Sequence, residues 1–340
     1  MDKLAVELLA HIFFYACTDG GHTGCSLSLV SKRLRAASRP ARFYTVALFS
    51  SPAQIERFLY AYKRARSEAY DVVPRVRHLW LSYAEGNQGT PEQPPAVTQK
   101  PTSRAEFLAL LHRRTQRWRC AQEGLDEQYN RVLPLLMQEV AADLYTLALT
   151  QSRWRCTNAA KCSFPRLKEL TLIGGDISYL PLSGAESDAI LYPSLRRLHR
   201  VLTPVCKDVD FLDWARHAPM LTHLRVSRLD FCPYRTVATL QQVISDTSNE
   251  FFPHLQMVVI LPHPRPPPDS PLFVIGFEQF LLHLRQLPQI AKVPVTVLPP
   301  LVPKAPNHHG VDAPRECITM FRDQWIDRIE GGPGCWAEGQ

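Results

Sequence analysis

The chain has 340 residues, a formal net charge of +7, and 45% hydrophobic and 21% charged residues. This composition excludes an intrinsically disordered protein, and the length predicts about two domains. No run of about 18 apolar residues occurs, and Asp2 and Glu7 flank the first lysine, so neither a membrane span nor a secretory signal peptide is expected. Nine scattered cysteines, an odd number, fit a reducing compartment. We expect a soluble protein of the cytoplasm, the nucleus or both, with no membrane partner.

Arginine supplies most of the positive charge: nine of the 39 basic residues are lysine and the other 30 are arginine. The guanidinium group pairs with carboxylate or phosphate through two parallel hydrogen bonds. The bias therefore fits recognition of an acidic or phosphorylated partner. It fits equally a genome rich in arginine codons, with no function attached.

The first 48 residues contain two helical apolar patterns, separated by a break at residues 19–21. The first pattern comprises Leu8, Leu9, Ile12, Phe13 and Ala16. The second comprises Leu27, Val30, Leu34 and Ala37. Steps of three and four residues place each set on one side of a helix. The sequence predicts two or three short amphipathic helices here, and a unit this small needs a partner or the rest of the chain for stability.

This segment resembles the F-box family. The family's first signature is matched by Leu4, Glu7, Leu8, Leu9, Ile12 and Phe13. Its second signature, an apolar residue before a serine and a basic pair, is matched by Leu27, Val30, Ser31, Lys32, Arg33 and Leu34. Ala5 stands where the family has a proline that pre-sets the first helical turn. The resemblance implies an all-helical F-box at residues 1–48 that docks a Skp-family adaptor. The implied contact residues are Leu4, Ala5, Leu8, Leu9, Ile12, Val30 and Leu34.

After a predicted linker helix within residues 49–73, a short apolar template recurs through residues 74–330. Its three apolar positions are spaced like leucine-x-x-leucine-x-leucine, starting at Val76, Leu144, Leu167, Leu195, Leu221 and Leu255. A proline lies two residues before four of the copies, at positions 165, 193, 219 and 253. The spacings between successive prolines, 28, 26 and 34 residues, are typical of repeat proteins. Helical patterns follow the later copies, at residues 209–217, 236–248 and 273–287, and a last helix is expected at residues 316–330. This region resembles degenerate leucine-rich repeats.

Other segments interrupt the series. Residues 85–103 are rich in proline and polar residues and are interpreted as a mobile insertion. Residues 104–142 are predicted to be helical with a break at Gly124. Residues 331–340 carry no folding signal and are predicted to be a disordered tail. The predicted fold class is α/β, a small all-helical F-box module followed by an irregular strand-helix, leucine-rich-repeat-like solenoid.

The repeat register also predicts a binding surface. Side chains alternate across a strand, so the residues beside the middle leucine should face away from the helices. We expect an exposed stripe that includes His78, Trp80, Arg197, His199, His223 and Arg225. These residue types are frequent in interface hot spots. We hypothesise that Arg197 and Arg225 bind an acidic or phosphorylated protein substrate.

Taken together, the resemblance implies a fungal-type F-box protein that serves as substrate-recognition adaptor of an SCF-type cullin-RING ubiquitin ligase. Such a subunit is not itself an enzyme and needs no cofactor, and no phosphate loop, nucleophile elbow or paired zinc motif is found. The spacing of His11, Cys17, His22 and Cys25 does not match structural zinc sites.

Two alternatives for the N-terminus stay open: a helical cap on the repeats, and a nucleic-acid-binding helix-turn-helix with Ser31–Arg42 as its basic helix. The second is disfavoured because its polar face offers no amide side chain for base recognition. For the whole chain, the alternative is a non-catalytic protein-binding scaffold that joins no ligase.

Overall fold

The computed structural model describes residues 4–49, 51–69, 72–82, 103–150, 162–174, 190–202, 209–230, 234–248, 250–266, 271–301 and 313–339. The α-helices are α1 Val6–Ala16, α2 His22–Val30, α3 Lys32–Ser38, α4 Pro52–Ser67, α5 Arg104–Val140, α6 Phe211–His217, α7 Tyr234–Ser245, α8 Pro271–Ile290 and α9 Ala313–Ile329. The strands are β1 Thr45–Phe49, β2 His78–Ser82, β3 Thr146–Thr150, β4 Glu169–Ile173, β5 Arg197–Val201, β6 His223–Leu229, β7 Met257–Pro262 and β8 Val295–Val297. Short 3-10 helices lie at Ala141–Asp143 and Gly334–Gly339.

All eight strands form one parallel sheet, and their spatial order is their order in the chain. The predicted α/β class is confirmed. The register aligns the middle apolar position of each template across the sheet, so that Leu79, Leu147, Leu170, Leu198, Leu224 and Val258 form one continuous row. All six are at most 1% exposed. Burying each such aliphatic side chain is worth about 1.5–3 kcal/mol, so this row stabilises the sheet along its whole width.

The helices α4 to α8 cover the face of the sheet to which this row points. Ile55 and Tyr62 of α4, Leu133 of α5 and Trp214 of α6 lie in the same core as the aligned leucines. Helix α4 begins as the sequence predicts, because Ser51 accepts a hydrogen bond from the Gln54 backbone N–H at 3.3 Å and Pro52 occupies the first turn.

A separate segment covers the opposite face of the sheet. We call residues 313–339, which comprise α9 and the final 3-10 helix, the C-terminal cap. Phe321 and Trp325 of the cap pack with Trp80, Ala148 and Val201 in a second core. Cys335 and Trp336 form a third, smaller core with Met257 and Val259 of β7. The sheet is therefore buried on both faces, as is usual for parallel sheets.

Three expectations differ from the structure. Helix α5 runs unbroken through Gly124, because glycine costs only roughly 1 kcal/mol in a helix and the following turns are held in the core through residues such as Leu133 and Leu136. Residues 45–48, assigned to the helical N-terminus, belong to strand β1, which pairs with β2. The predicted disordered tail forms a 3-10 helix at Gly334–Gly339 in which Trp336 is only 3% exposed. Except for Ser103, the expected insertion at residues 85–103 lies outside the described residues.

Candidate protein-interaction surfaces

The N-terminal helices α1, α2 and α3 enclose a small core of their own. Leu9 and Phe13 of α1 are 1% and 2% exposed, and they pack with Cys17, Ala37 and Ala41. Burial raises the pKa of the Cys17 thiol to about 11, which leaves it an inert packing residue.

The other side of α1 leaves apolar side chains in solvent. Leu4, Leu8 and Ile12 are 38%, 56% and 48% exposed; Leu8 and Ile12 lie one turn apart on α1, and Leu4 lies two residues before the helix begins. Val30, at the end of α2, is 67% exposed. The guanidinium of Arg33 donates to the Leu4 carbonyl at 2.6 Å, so the start of α1 lies within reach of the junction between α2 and α3. We call Leu4, Leu8, Ile12 and Val30 the N-terminal apolar patch.

The patch agrees in part with the predicted adaptor-binding residues. Leu4, Ala5, Leu8, Ile12 and Val30 are exposed, as a docking surface requires. Leu9 is wrong as a contact residue, because its side chain fills the interior of the helical unit. Leu34 is half-buried against the same core.

Sequence reasoning missed three exposed apolar side chains of the N-terminal helices. Val6, Tyr15 and Leu29 are 50%, 75% and 79% exposed. Tyr15 lies three residues after Ile12, so the helical period could have revealed it. Leu29 directly precedes Val30 and carries no periodic signal.

The predicted stripe on the sheet is not an exposed surface, because the C-terminal cap lies on it. Trp325 donates from its indole nitrogen to Thr146 Oγ1 at 3.2 Å, and Trp336 donates to Glu169 Oε1 at 3.1 Å. Arg328 pairs with Glu169 at 3.3 Å. These contacts fix the cap over strands β3 and β4.

The cap buries most of the residues assigned to the stripe. Trp80 and His199 are at most 1% exposed, and their rings pack edge-on against Trp325 and Phe321 at 5.5 and 5.3 Å. Arg225 is 1% exposed and donates to the backbone carbonyl of Cys335. The expectation that these side chains face solvent is wrong. The sequence pattern predicted the side of the sheet but could not show that a distant segment returns to cover it.

The remaining stripe residues are only partly available. His78 is 8% exposed, whereas His223 is half-buried and its ring packs against Trp336 at 5.9 Å. Arg197 keeps 36% of its side chain exposed and lies 3.8 Å from Glu169. Burial, together with neighbouring arginines, lowers the pKa of all three histidines in the stripe, to about 4 for His78 and well below the usual range for His199. The cap-covered face of the sheet is therefore a buried interface in which the histidines are neutral, and it is not an exposed basic surface.

A different surface concentrates positive charge at the edge of the sheet where the strands begin. Arg75, Arg77 and Arg166 all approach Asp143 Oδ1, at 3.2, 3.3 and 3.5 Å. Arg77 and Lys168 both lie over the Tyr145 ring, at 4.6 and 5.4 Å from its centroid. We call Arg75, Arg77, Arg166, Lys168 and Arg196 the basic rim.

A groove opens beside the basic rim, between α1 and the segment that leads into β2. Its volume is about 500 Å³. Phe14, Pro40, Tyr44, Val72 and Val73 form its apolar lining, and Arg75 and Arg77 complete it. We call this cavity the α1–β2 groove.

Comparison with known proteins assigns no family: no protein-family model, curated protein or solved structure matches this chain. Within the described ranges, no helix is both long and apolar enough to span a membrane. No group of three histidine, cysteine, aspartate or glutamate side chains comes together for metal binding in the part of the chain that the structure describes. The candidate surfaces in the described residues are the N-terminal apolar patch and the basic rim with the α1–β2 groove.

Proposed function

We propose that this protein is the substrate-recognition subunit of an SCF-type cullin-RING ubiquitin ligase. Its N-terminal helices act as an F-box that docks a Skp-family adaptor. The sheet with its helices acts as a leucine-rich-repeat-like solenoid that holds a protein substrate. The subunit performs no bond chemistry and contributes by positioning the substrate near the charged conjugating enzyme.

The observation that carries the proposal is the N-terminal apolar patch. A helical unit of this size has few apolar residues to bury, yet the four residues of the patch stay in solvent, as do Val6, Tyr15 and Leu29. Such an arrangement suits a protein interface, whose buried centre is depleted of charge. The patch also coincides with four of the positions that the F-box resemblance assigns to adaptor docking.

The departure at Ala5 is compatible with this role. Ala5 directly precedes α1 and has φ −60° and ψ 148°, within the range that a proline ring imposes. The backbone thus holds the shape that the family's proline would enforce, at a higher entropic cost of ordering.

The repeat assignment draws support from the sheet. Its strands follow one another in strictly sequential parallel order, and the same template position fills the core in six of them. Each strand and the segment that follows it bury their apolar side chains only against the adjacent strands and helices, as the units of repeat proteins do.

Co-purification with a Skp-family adaptor tests the proposal. The wild-type chain should bring down the adaptor, and a Leu8→Ala/Ile12→Ala variant should not. Because full burial of such a side chain is worth about 1.5–3 kcal/mol and both are already half covered, we expect a loss of about 2 kcal/mol, or roughly 30-fold in affinity. Tyr60→Ala is the matched control, since Tyr60 is 72% exposed on α4.

Failure of the wild type to bind the adaptor, under conditions where a standard F-box protein binds, would favour a scaffold outside any ligase. Equal binding by the double variant would mean that the patch is not the docking surface.

A further inference from the structure

The basic rim carries more positive charge than its described neighbours neutralise. Three guanidinium groups surround one carboxylate oxygen of Asp143, and the ammonium of Lys168 lies on the next strand. Arg75 and Arg166 leave 47% and 50% of their side chains exposed. Each guanidinium has five N–H donors, so most of these donors remain available to a ligand.

The backbone sets three of the five rim residues, Arg77, Lys168 and Arg196, in one row with Tyr145. Tyr145 N–H donates to the Arg77 carbonyl at 2.7 Å, Lys168 N–H to Tyr145 at 2.9 Å, and Arg196 N–H to Lys168 at 2.9 Å. The strand register continues through these residues, so their side chains point to the same side at steps of about 4.8 Å. From Arg77 to Arg196 the row spans about 14 Å, the length of about four residues of extended chain.

The row begins at the apolar groove. Tyr44 precedes β1 and is in register with Arg77, and it also lines the α1–β2 groove. Its ring packs edge-on against Phe14 of α1 at 5.2 Å. A ligand that follows the row therefore meets an apolar cavity at one end, and then Arg77, Tyr145, Lys168 and Arg196 in turn.

We propose that the α1–β2 groove and the basic rim form a binding site for an extended acidic peptide segment. One apolar side chain of the segment enters the groove, and several aspartate or glutamate side chains beside it pair with the rim. Spaced carboxylates fit better than a single phosphate because the cations are distributed along the sheet edge. As an assignment of substrate class, the inference rests on the proposed function; as a binding site, it is independent of the adaptor.

The site moves the acidic-partner hypothesis to a different part of the protein. The stripe arginine Arg225 is buried beneath the C-terminal cap, and Arg197 lies next to Glu169. The rim arginines lie at the start of the strands, and among the described residues no hydrogen bond or ion pair joins the cap to Arg75, Arg77 or Arg166.

Fluorescence anisotropy of a labelled peptide, one leucine followed by four glutamates, tests the site on the full chain. The Arg75→Gln/Arg166→Gln variant should bind at least about tenfold more weakly than wild type, since two charge-assisted contacts are lost. Arg77 is kept because it is only 15% exposed and supports Asp143. Arg57→Gln/Arg265→Gln is the charge-matched control, since both side chains are exposed and follow the ends of β1 and β7, at the edge of the sheet opposite the rim, and it should change affinity less than twofold.

The groove is tested with the peptide rather than the protein. Replacing the leucine of the probe by alanine should weaken binding about tenfold, to the wild type and to the rim variant alike, because the leucine and the glutamates contact different parts of the site. Both protein variants must show the wild-type circular dichroism spectrum and unfolding midpoint.

Four results would overturn the inference: no measurable binding by wild type, equal weakening by the rim and control variants, tighter binding of a peptide with a single phosphoserine in place of the glutamates, or tighter binding of a single-stranded oligonucleotide. Adaptor co-purification with the rim variant separates this site from the proposed function. Retained adaptor with lost peptide binding supports the site, whereas peptide binding by a chain that never binds adaptor refutes only the ligase role.

Discussion

Trp325 should be the main residue that holds the C-terminal cap on the sheet. Its side chain is 5% exposed, its ring packs edge-on against Trp80 at 5.5 Å, and its indole nitrogen donates to Thr146 Oγ1 at 3.2 Å. Replacement of a buried tryptophan by alanine costs about 3–5 kcal/mol. Within that total, the aromatic pair and the hydrogen bond account for about 0.5–1.5 kcal/mol each. We therefore expect Trp325→Ala to lower the free energy of unfolding by at least about 3 kcal/mol.

Urea denaturation followed by far-UV circular dichroism measures this change, and hydrogen exchange locates it. Amides of strands β2 to β5 and of α9 should lose protection together, because the cap and the sheet face share one core. Trp325→Phe keeps an aromatic ring but loses the hydrogen bond and part of the packed volume, so it should cost about 1–2 kcal/mol. Asp323→Ala, at an exposed position of the same helix, should change stability by less than about 0.5 kcal/mol. A loss below about 1 kcal/mol for Trp325→Ala, or one equal to that of Asp323→Ala, would refute the view that the cap is an integral layer of the fold.

Three further changes test other parts of the structure by urea denaturation. Gly20→Ala should destabilise the fold by about 1–3 kcal/mol, because Gly20 has φ +84° and an added Cβ would lie 2.7 Å from Ala47 Cβ. Gly124→Ala is the control: it lies in open space within α5 and should stabilise the fold by up to about 1 kcal/mol. Equal effects of the two substitutions would contradict this reasoning. The pKa of His78 is about 4 in the fold and about 6.5 in the unfolded chain, so folding favours the neutral ring. The free energy of unfolding should therefore be unaffected by His78 above pH 6.5 and should fall by up to about 3 kcal/mol as the pH is lowered to 4. His78→Gln should reduce this dependence of stability on pH, and the same change at exposed His254 should not. Ala5→Pro should raise stability by about 0.4–1 kcal/mol and strengthen adaptor binding, and a loss of helicity would show that proline does not fit there.

Local patterns predicted the repeating part of the fold well. The template spacing placed a strand at each of its six copies, since the apolar rows could be buried only in a parallel sheet with helices on one side. The cap on the other side depends on contacts across great sequence separations, such as Trp325 with Thr146. Residues 331–340 carry too little periodicity to indicate that Trp336 would be buried. Strand β1 was not predicted, because its five residues directly follow helical patterns.

The candidate sites divide in the same way. The N-terminal apolar patch follows from a local helical period, so the sequence indicated four of its residues, while the burial of Leu9 depends on how α1 packs against α3. The basic rim could not be found from spacing alone. Arg75, Asp143 and Arg166 belong to three different segments, and only the parallel register brings them together.

The connection between the helical N-terminus and the sheet bears on how the two proposed surfaces would cooperate. Ala47 N–H of β1 donates to the Gly20 carbonyl at 3.0 Å, and Phe14 of α1 packs on Tyr44 next to β1. Ile12 of the apolar patch and Phe14 of the groove lie two residues apart on one helix. An adaptor bound to the patch would therefore stand in a fixed relation to a peptide bound at the groove and rim. Because proximity accelerates a transfer only when the geometry is held, weakening this junction with Gly20→Ala should impair ubiquitination of a bound substrate more than it impairs binding to either partner.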